Sequence, residues 1–183
     1  ALDPVALADR RVSLSLLEHV ANISLQSSHA GLQARTAAKA ASTRDAWPAV
    51  LRHWRAQTNE PGDLMELTIL ARAAAKTADP AAPRYLERLR ALRPADAEAL
   101  TGHYLAAQGQ AAAAMTHLER SLRMWREDPW VSLKLAEDTL ALVRTFPREA
   151  AGRAALERLY HALAEPFAVR LVEQARWGAR LDV

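Results

Sequence analysis

Proline interrupts an otherwise continuous helix-forming chain at nearly even intervals: Pro61, Pro94, Pro129 and Pro166 are separated by 33, 35 and 37 residues. Between them run long stretches of Ala, Leu, Arg and Glu with few β-branched clusters and only 6 glycines, so intrinsic propensity favours helix nearly everywhere. Helices broken at this period cannot merge into one long rod. They must fold back on one another.

The punctuation gives the starts. Asp3-Pro4, Asp79-Pro80, Asp128-Pro129 and Glu165-Pro166 each set an acid before a proline. Asp accepts hydrogen bonds from the free amides of a first helical turn, and proline at the first helical position forfeits no intrahelical bond. Asp63 and Glu66, directly after Pro61-Gly62, form a capping box with Asp in place of Ser or Thr. Apolar residues then recur at helical spacing, as in Val12, Leu16, Val20, Ile23, then Leu64, Leu67, Ala71, Ala74, then Leu118, Leu122, Trp125. Breaks near 26–31, 41–44, 59–62, 78–81, 94–96, 109–110, 127–128, 145–147 and 165–166 predict about nine or ten helices with short connections. Short connections make successive helices antiparallel neighbours, so the fold class is all-α.

Between Pro94 and Pro129, Leu100, Tyr104 and Ala107 make the stripe of a first helix, Gly109 ends it, and Ala114, Leu118 and Ser121 follow on a second. This small, large, small pattern and the proline period resemble the tetratricopeptide-repeat (TPR) family, whose period is roughly 34 residues. Similar second-helix patterns lie on Ala49, His53, Ala56, on Ala82, Leu86, Leu89, and on Ala154, Arg158, His161, the last fitting better as Ala155, Leu159, Ala162. First helices then run over 30–41, 63–77, 97–108 and 130–144. In a competing frame Trp47, Val50, Leu51 and Trp54 occupy first-helix places, which reverses the pairing. The resemblance implies a single TPR-like α-solenoid: an N-terminal helix within 1–28, about four divergent repeats over 29–166 and a capping helix over 167–183.

Composition excludes several chemistries. Zero cysteines remove disulfides, thiolate metal sites and a cysteine nucleophile, without identifying a compartment. Apolar runs such as 111–115 are far short of the roughly 20 residues of a membrane span, so a soluble chain is expected. Residue 1 is Ala, which fits a removed initiator Met, a lost signal peptide or a domain of a longer chain. The net charge of +3 is small, and basic residues alternate with acids, as in Arg84, Glu87 and Arg88. That is the pattern of solvated helix faces. The densest basic stretch, Arg84, Arg88, Arg90 and Arg93 with Tyr85, is interrupted by Glu87, which argues against a nucleic-acid partner.

No constellation of catalytic residues is visible. Ser27-Ser28-His29 sets a nucleophile type beside a base type, but neighbours in sequence do not face each other on a helix, and a loop and helix cap is the simpler reading. The glycines stand singly, so no phosphate loop is present. His103 and His117 flank the Gly109-Gln110 turn, with Glu119 as the nearest third ligand, but no full metal set or zinc motif exists. Trp47, Trp54, Trp125, Trp130 and Trp177 sit at helical spacing or near helix ends, the places of core residues.

No metal, cofactor or enzymatic activity is therefore expected, and the resemblance implies a scaffold that binds a peptide or protein segment on the concave face of its first helices. Met65, Ile69 and Arg72 in one repeat, Glu98, Thr101, Leu105 and Gln108 in the next, then Lys134 and Asp138, would line that face. The set lacks the Lys- and Asn-rich character with which some TPR proteins clamp a terminal carboxylate. An assembly or regulatory module of a larger enzyme and a helical domain for a small or lipidic ligand are the alternatives.

Overall fold

The computed structural model describes residues 30–128, 130–146, 150–164, 166–167, 172–173, 176 and 179–180. Eight helices follow in order: α1 (30–42), α2 (Trp47–Arg55), α3 (Leu64–Lys76), α4 (Ala82–Arg90), α5 (Pro94–Ala107), α6 (Ala111–Trp125), α7 (Leu133–Val143) and α8 (Ala150–Ala162). Residues 172, 173, 176, 179 and 180 are also helical, and no strand occurs among the described residues. The expected N-terminal helix within 1–28 and the Ser27-Ser28-His29 segment lie outside them. So does Trp177.

The chain divides into two compact units, Ala1–Glu60 and Pro61–Val183. In the first, α2 buries Trp47, Val50, Leu51 and Trp54, and the Arg35 guanidinium lies over the Trp54 ring at 5.6 Å. The pattern Ala49, His53, Ala56 is not the buried stripe of α2: Ala56 is exposed and the other two are half-buried. Two indoles, a Val and a Leu remove far more apolar area from water than two Ala and a His.

In the second unit α3 packs on α4 and α5, α4 on α5, α5 on α6 and α7, and α6 on α7 and α8. The α5–α6 interface is the most extensive, and it is built on the absence of a side chain. A Cβ on Gly102 would stand 2.4 Å from Leu118 Cδ2 and 3.2 Å from the Ala114 carbonyl. Ala114, Leu118 and Ser121 of α6 are all buried, as are Ala82, Leu86 and Leu89 of α4. On α8 the shifted stripe Ala155, Leu159, Ala162 is buried and Ala154, Arg158, His161 is exposed. On α5 the expected stripe departs from the structure: Leu100 is buried, Tyr104 half-buried and Ala107 exposed. The first turns of α5 are enclosed by neighbours, whereas its last turn emerges.

Helix ends repeat more faithfully than sequence does. At the end of α1 the Ala46 amide donates to the Ala41 carbonyl and Asp45 takes φ 54°; after α3 the Asp79 amide donates to Ala74 with Ala78 at φ 50°; after α5 the Gln110 amide donates to Leu105 with Gly109 at φ 77°. Each is a Schellman stop with one left-handed residue, which satisfies carbonyls the helix leaves open. At the other end of α3, Asp63 Oδ1 accepts from the Glu66 amide at 2.7 Å, and Glu66 Oε2 accepts from the Gly62 amide at 2.9 Å. The capping box is formed, with its return bond on Gly62.

Among the described residues, Asp79 and Asp128 act ahead of the helix starts rather than at them. Asp79 Oδ1 accepts from the Ala81 amide at 3.0 Å, and α4 begins only at Ala82. Asp128 Oδ1 accepts from the Trp130 amide at 2.8 Å, and α7 begins at Leu133 rather than at 130. A short carboxylate bonding two residues ahead makes an Asx turn, which competes with the helix for the same amide. Trp130 is accordingly no core residue: it is 78% exposed, while its carbonyl accepts from Arg93 at 2.7 Å. Trp47, Trp54 and Trp125 are buried.

Candidate functional site

The face shared by α3, α5 and α7 carries a polar cluster centred on Asp138. Four-residue spacing puts Arg72 and Lys76 on one side of α3, and Lys134 and Asp138 on one side of α7. The two helices are joined over α5 through Asp138: Arg72 Nη2 donates to its Oδ2 at 2.5 Å, Lys76 Nζ donates to the same oxygen, and Lys134 Nζ lies 3.0 Å from Oδ1. Arg72 also donates to the Lys134 carbonyl at 3.4 Å. In α5, His103 is buried, with Nε2 at 3.2 Å from Thr139 Oγ1, itself fully enclosed.

Burial and neighbouring charges together decide the protonation states. Burial alone would raise the Asp138 pKa, but the hydrogen bonds from Lys76, Arg72 and Lys134 override it and hold the carboxyl well below the usual carboxylate range. His103 is lowered to about 4, first by burial and then by Lys76; Asp138 opposes the shift and Arg72 adds to it. His103 is thus neutral near pH 7, which suits a nitrogen sharing a hydrogen bond with a hydroxyl.

Of the residues expected to line this face, the structure brings Arg72, Lys134 and Asp138 together. Met65 is exposed, Ile69 and Leu105 are half-buried, and Gln108 is exposed at the end of α5. Thr101 turns its hydroxyl back to the Ala97 carbonyl at 2.7 Å. Glu98 belongs elsewhere: it accepts from His117 Nδ1 at 2.8 Å and lies 3.6 Å from Arg90 Nε, toward α6 and α4. His103 and His117 therefore take different partners. Glu119 pairs with Arg123 and Arg158, so these three do not converge on one point. No group of three or more potential metal ligands gathers among the described residues.

Sequence reasoning missed Lys76, His103 and Thr139 as members of the cluster. The signal for Lys76 was its four-residue spacing from Arg72, which sets two cations on the side of α3 that could meet the carboxylate of Asp138. For His103 and Thr139 there was none, since their contact depends on how α5 meets α7.

Among the described residues no helix is long and apolar enough to cross a membrane. No protein-family model, no curated protein and no solved structure matches the chain.

Proposed function

We propose that the chain is a non-catalytic, TPR-like scaffold that binds a peptide or protein segment along the face of α3, α5 and α7. The observation that carries this reading is the side-by-side packing of the alternate helices α3, α5 and α7, while α4 and α6 pack between them in sequence order. Such an arrangement presents one continuous surface made of equivalent helices, the surface helical-repeat proteins use for extended ligands. Two further features support it. Gly102 and Ala114 allow close helix approach at the α5–α6 pair, and three alternate helices end in the same left-handed stop. Exposed Met65 and half-buried Ile69 and Leu105 supply apolar contacts beside the charged bridge.

The test is selection of peptides from a random-sequence display library on the whole chain, followed by binding to Met65→Asp and Leu105→Asp. Arg72→Glu is a poor probe, because it would set a second carboxylate against Asp138 and disturb the fold. Selected peptides should lose most of their affinity for both variants, with helicity unchanged. Peptides that bind wild type and both variants equally place recognition on another surface.

A further inference from the structure

Away from that face, two exposed apolar side chains from different elements share one cleft. Leu92, between α4 and α5, is 60% exposed, and Met124, in the last turn of α6, is 40% exposed; with Pro94 and Ala95 they form the apolar lining of a cavity of about 230 Å³. Arg93 and Asp128 line the rest. Hydrogen bonds fix this polar wall: Arg93 Nε donates to Asp96 Oδ2 at 3.1 Å, its Nη2 donates to Asp128 Oδ2 at 3.3 Å and to the Trp130 carbonyl, and the Trp130 amide donates to Asp128 Oδ1. Exposed Trp130 is thereby tethered to the wall by both its backbone groups. Among the described residues Arg93 is the only cation paired with Asp96 or Asp128, so two carboxylates share one guanidinium. The arginines that flank the cleft in sequence are engaged elsewhere, Arg90 with Glu87 and Glu98, Arg123 with Glu119, and Arg126 with the Ala162 carbonyl.

We infer that this cleft docks a partner segment that inserts one apolar side chain between Leu92 and Met124 and sets a lysine or arginine against Asp128. Single exposed apolar residues are ordinary, but two that line one concavity, with an exposed Trp tethered to its wall, make a patch whose contact with water is unfavourable. The volume is below the roughly 300 Å³ at which small-molecule sites begin, and it suits a single side chain. Met124, unbranched and adaptable, can close on side chains of different shape. Charge fixes the neighbouring residue. An incoming carboxylate would meet two carboxylates and a guanidinium they already share, whereas a cation evens the count at Asp128, whose side chain is still 25% exposed. The exposed indole of Trp130 favours a cation further. Arg93 precedes the first turn of α5, about 18 Å along the helix from Leu105. The cleft is therefore a second surface, and it does not rest on the face of α3, α5 and α7.

The experiment is NMR on the full chain with isotope-labelled Leu and Met methyls. A paramagnetic agent in solvent should broaden the Leu92 and Met124 methyls of the free protein, as an open cleft requires. Protection at every concentration would give the cleft to a segment of the chain itself, and protection that grows with concentration would give it to a second copy; either overturns the inference. Three capped hexapeptides are then titrated: Gly-Ser-Leu-Lys-Gly-Ser, the same with Ser for Leu, and the same with Glu for Lys. The first should shift both methyls saturably, in the millimolar range of a single anchor. The other two should bind about tenfold more weakly or not at all. Asp128→Asn keeps an oxygen that can accept from the Trp130 amide and removes the charge, so it should abolish the preference for Lys over Glu; Met124→Ser, at an exposed position, should abolish binding with helicity unchanged. Leu105→Asp should bind the first peptide as wild type does, which separates this cleft from the face of α3, α5 and α7. No saturable shift of the two methyls, equal binding of the Lys and Glu peptides, or a preference that survives Asp128→Asn overturns the inference.

Discussion

Arg72 and Asp138 are 66 positions apart, yet Arg72 Nη2 meets Asp138 Oδ2 at 2.5 Å, with the two side chains only 13% and 12% exposed. Little water is left to screen this contact, whereas Lys134, also bonded to Asp138, is 56% exposed. The two kinds of partner should differ in worth. Asp138→Asn strips the charge from the half-buried pair with Arg72 and should cost on the order of 1–3 kcal/mol. Lys134→Ala removes a solvated i,i+4 pair worth about 0.5 kcal/mol or less. Denaturant midpoints by circular dichroism check the contrast, and equal costs would show that the bridge does not hold α3 to α7.

His103 gives the bridge a pH dependence whose sign is set by its lowered pKa. Its value is about 4 in the folded chain against the ordinary histidine value of 6.5, so between these pH values the unfolded state binds more protons than the folded one. Stability from this group is complete above about pH 6.5 and is lost as pH falls toward 4, by on the order of 2–3 kcal/mol. The carboxyl of Asp138 adds a further loss at more acid pH, because its own folded value is depressed and its contribution fades only as it protonates. Chemical denaturation of wild type and His103→Gln at about pH 7, 5.5, 4 and 2.5 separates the two, the first three spanning the histidine range and the last lying below the ordinary carboxylate value. The variant should lose the slope between pH 6.5 and 4 and keep the acid one; identical slopes would mean that His103 protonates freely in the folded chain.

What could be read from sequence was whatever depends on neighbours along the chain. The capping box of Asp63 and Glu66, the stripe Ala114, Leu118, Ser121 and the shifted stripe of α8 are all set within two helical turns, and the structure carries them. The cluster at Asp138 was half legible. Arg72, Lys134 and Asp138 were expected on one face, but Glu98 was expected there too and instead turns to His117, because a helix enclosed on several sides offers its carboxylates more than one direction. Least legible was backbone conformation. Ala78 lies in the same left-handed region as Gly109, and nothing in an Ala announces it.

That hidden angle makes opposite predictions for two chemically similar exchanges. An L-residue in the left-handed region costs about 1–2 kcal/mol, and glycine avoids the cost at the expense of a freer unfolded chain. Ala78→Gly should raise stability by about 0.5–1 kcal/mol, and Gly109→Ala should lower it by about 1 kcal/mol. Asp45, at φ 54°, should gain less from glycine, since Asp tolerates this region better than Ala does. Thermal melting of the three single variants tests the set. Destabilisation by Ala78→Gly would rule out the shared helix stop.

The α5–α6 contact yields the sharpest packing test, because here helix propensity and space pull in opposite directions. Gly102→Ala would help an isolated helix by about 1 kcal/mol. In this chain the new methyl carbon falls 2.4 Å from Leu118 Cδ2, 2.7 Å from Leu118 Cγ and 3.2 Å from a backbone oxygen of Ala114. Leu118 is fully buried, so its side chain has no open space to retreat into, and overpacking of this kind costs about 1–3 kcal/mol. The net effect should be a loss. Ala114→Leu, crowding the same interface from the other helix, should lose about as much. The decisive comparison is the double variant: with Leu118→Ala the methyl of Gly102→Ala gains room and fills part of the space left behind, so the two losses should combine to clearly less than their sum. Additive losses in denaturant midpoint would mean that Gly102 and Leu118 do not touch, and that α5 and α6 meet along a different stripe.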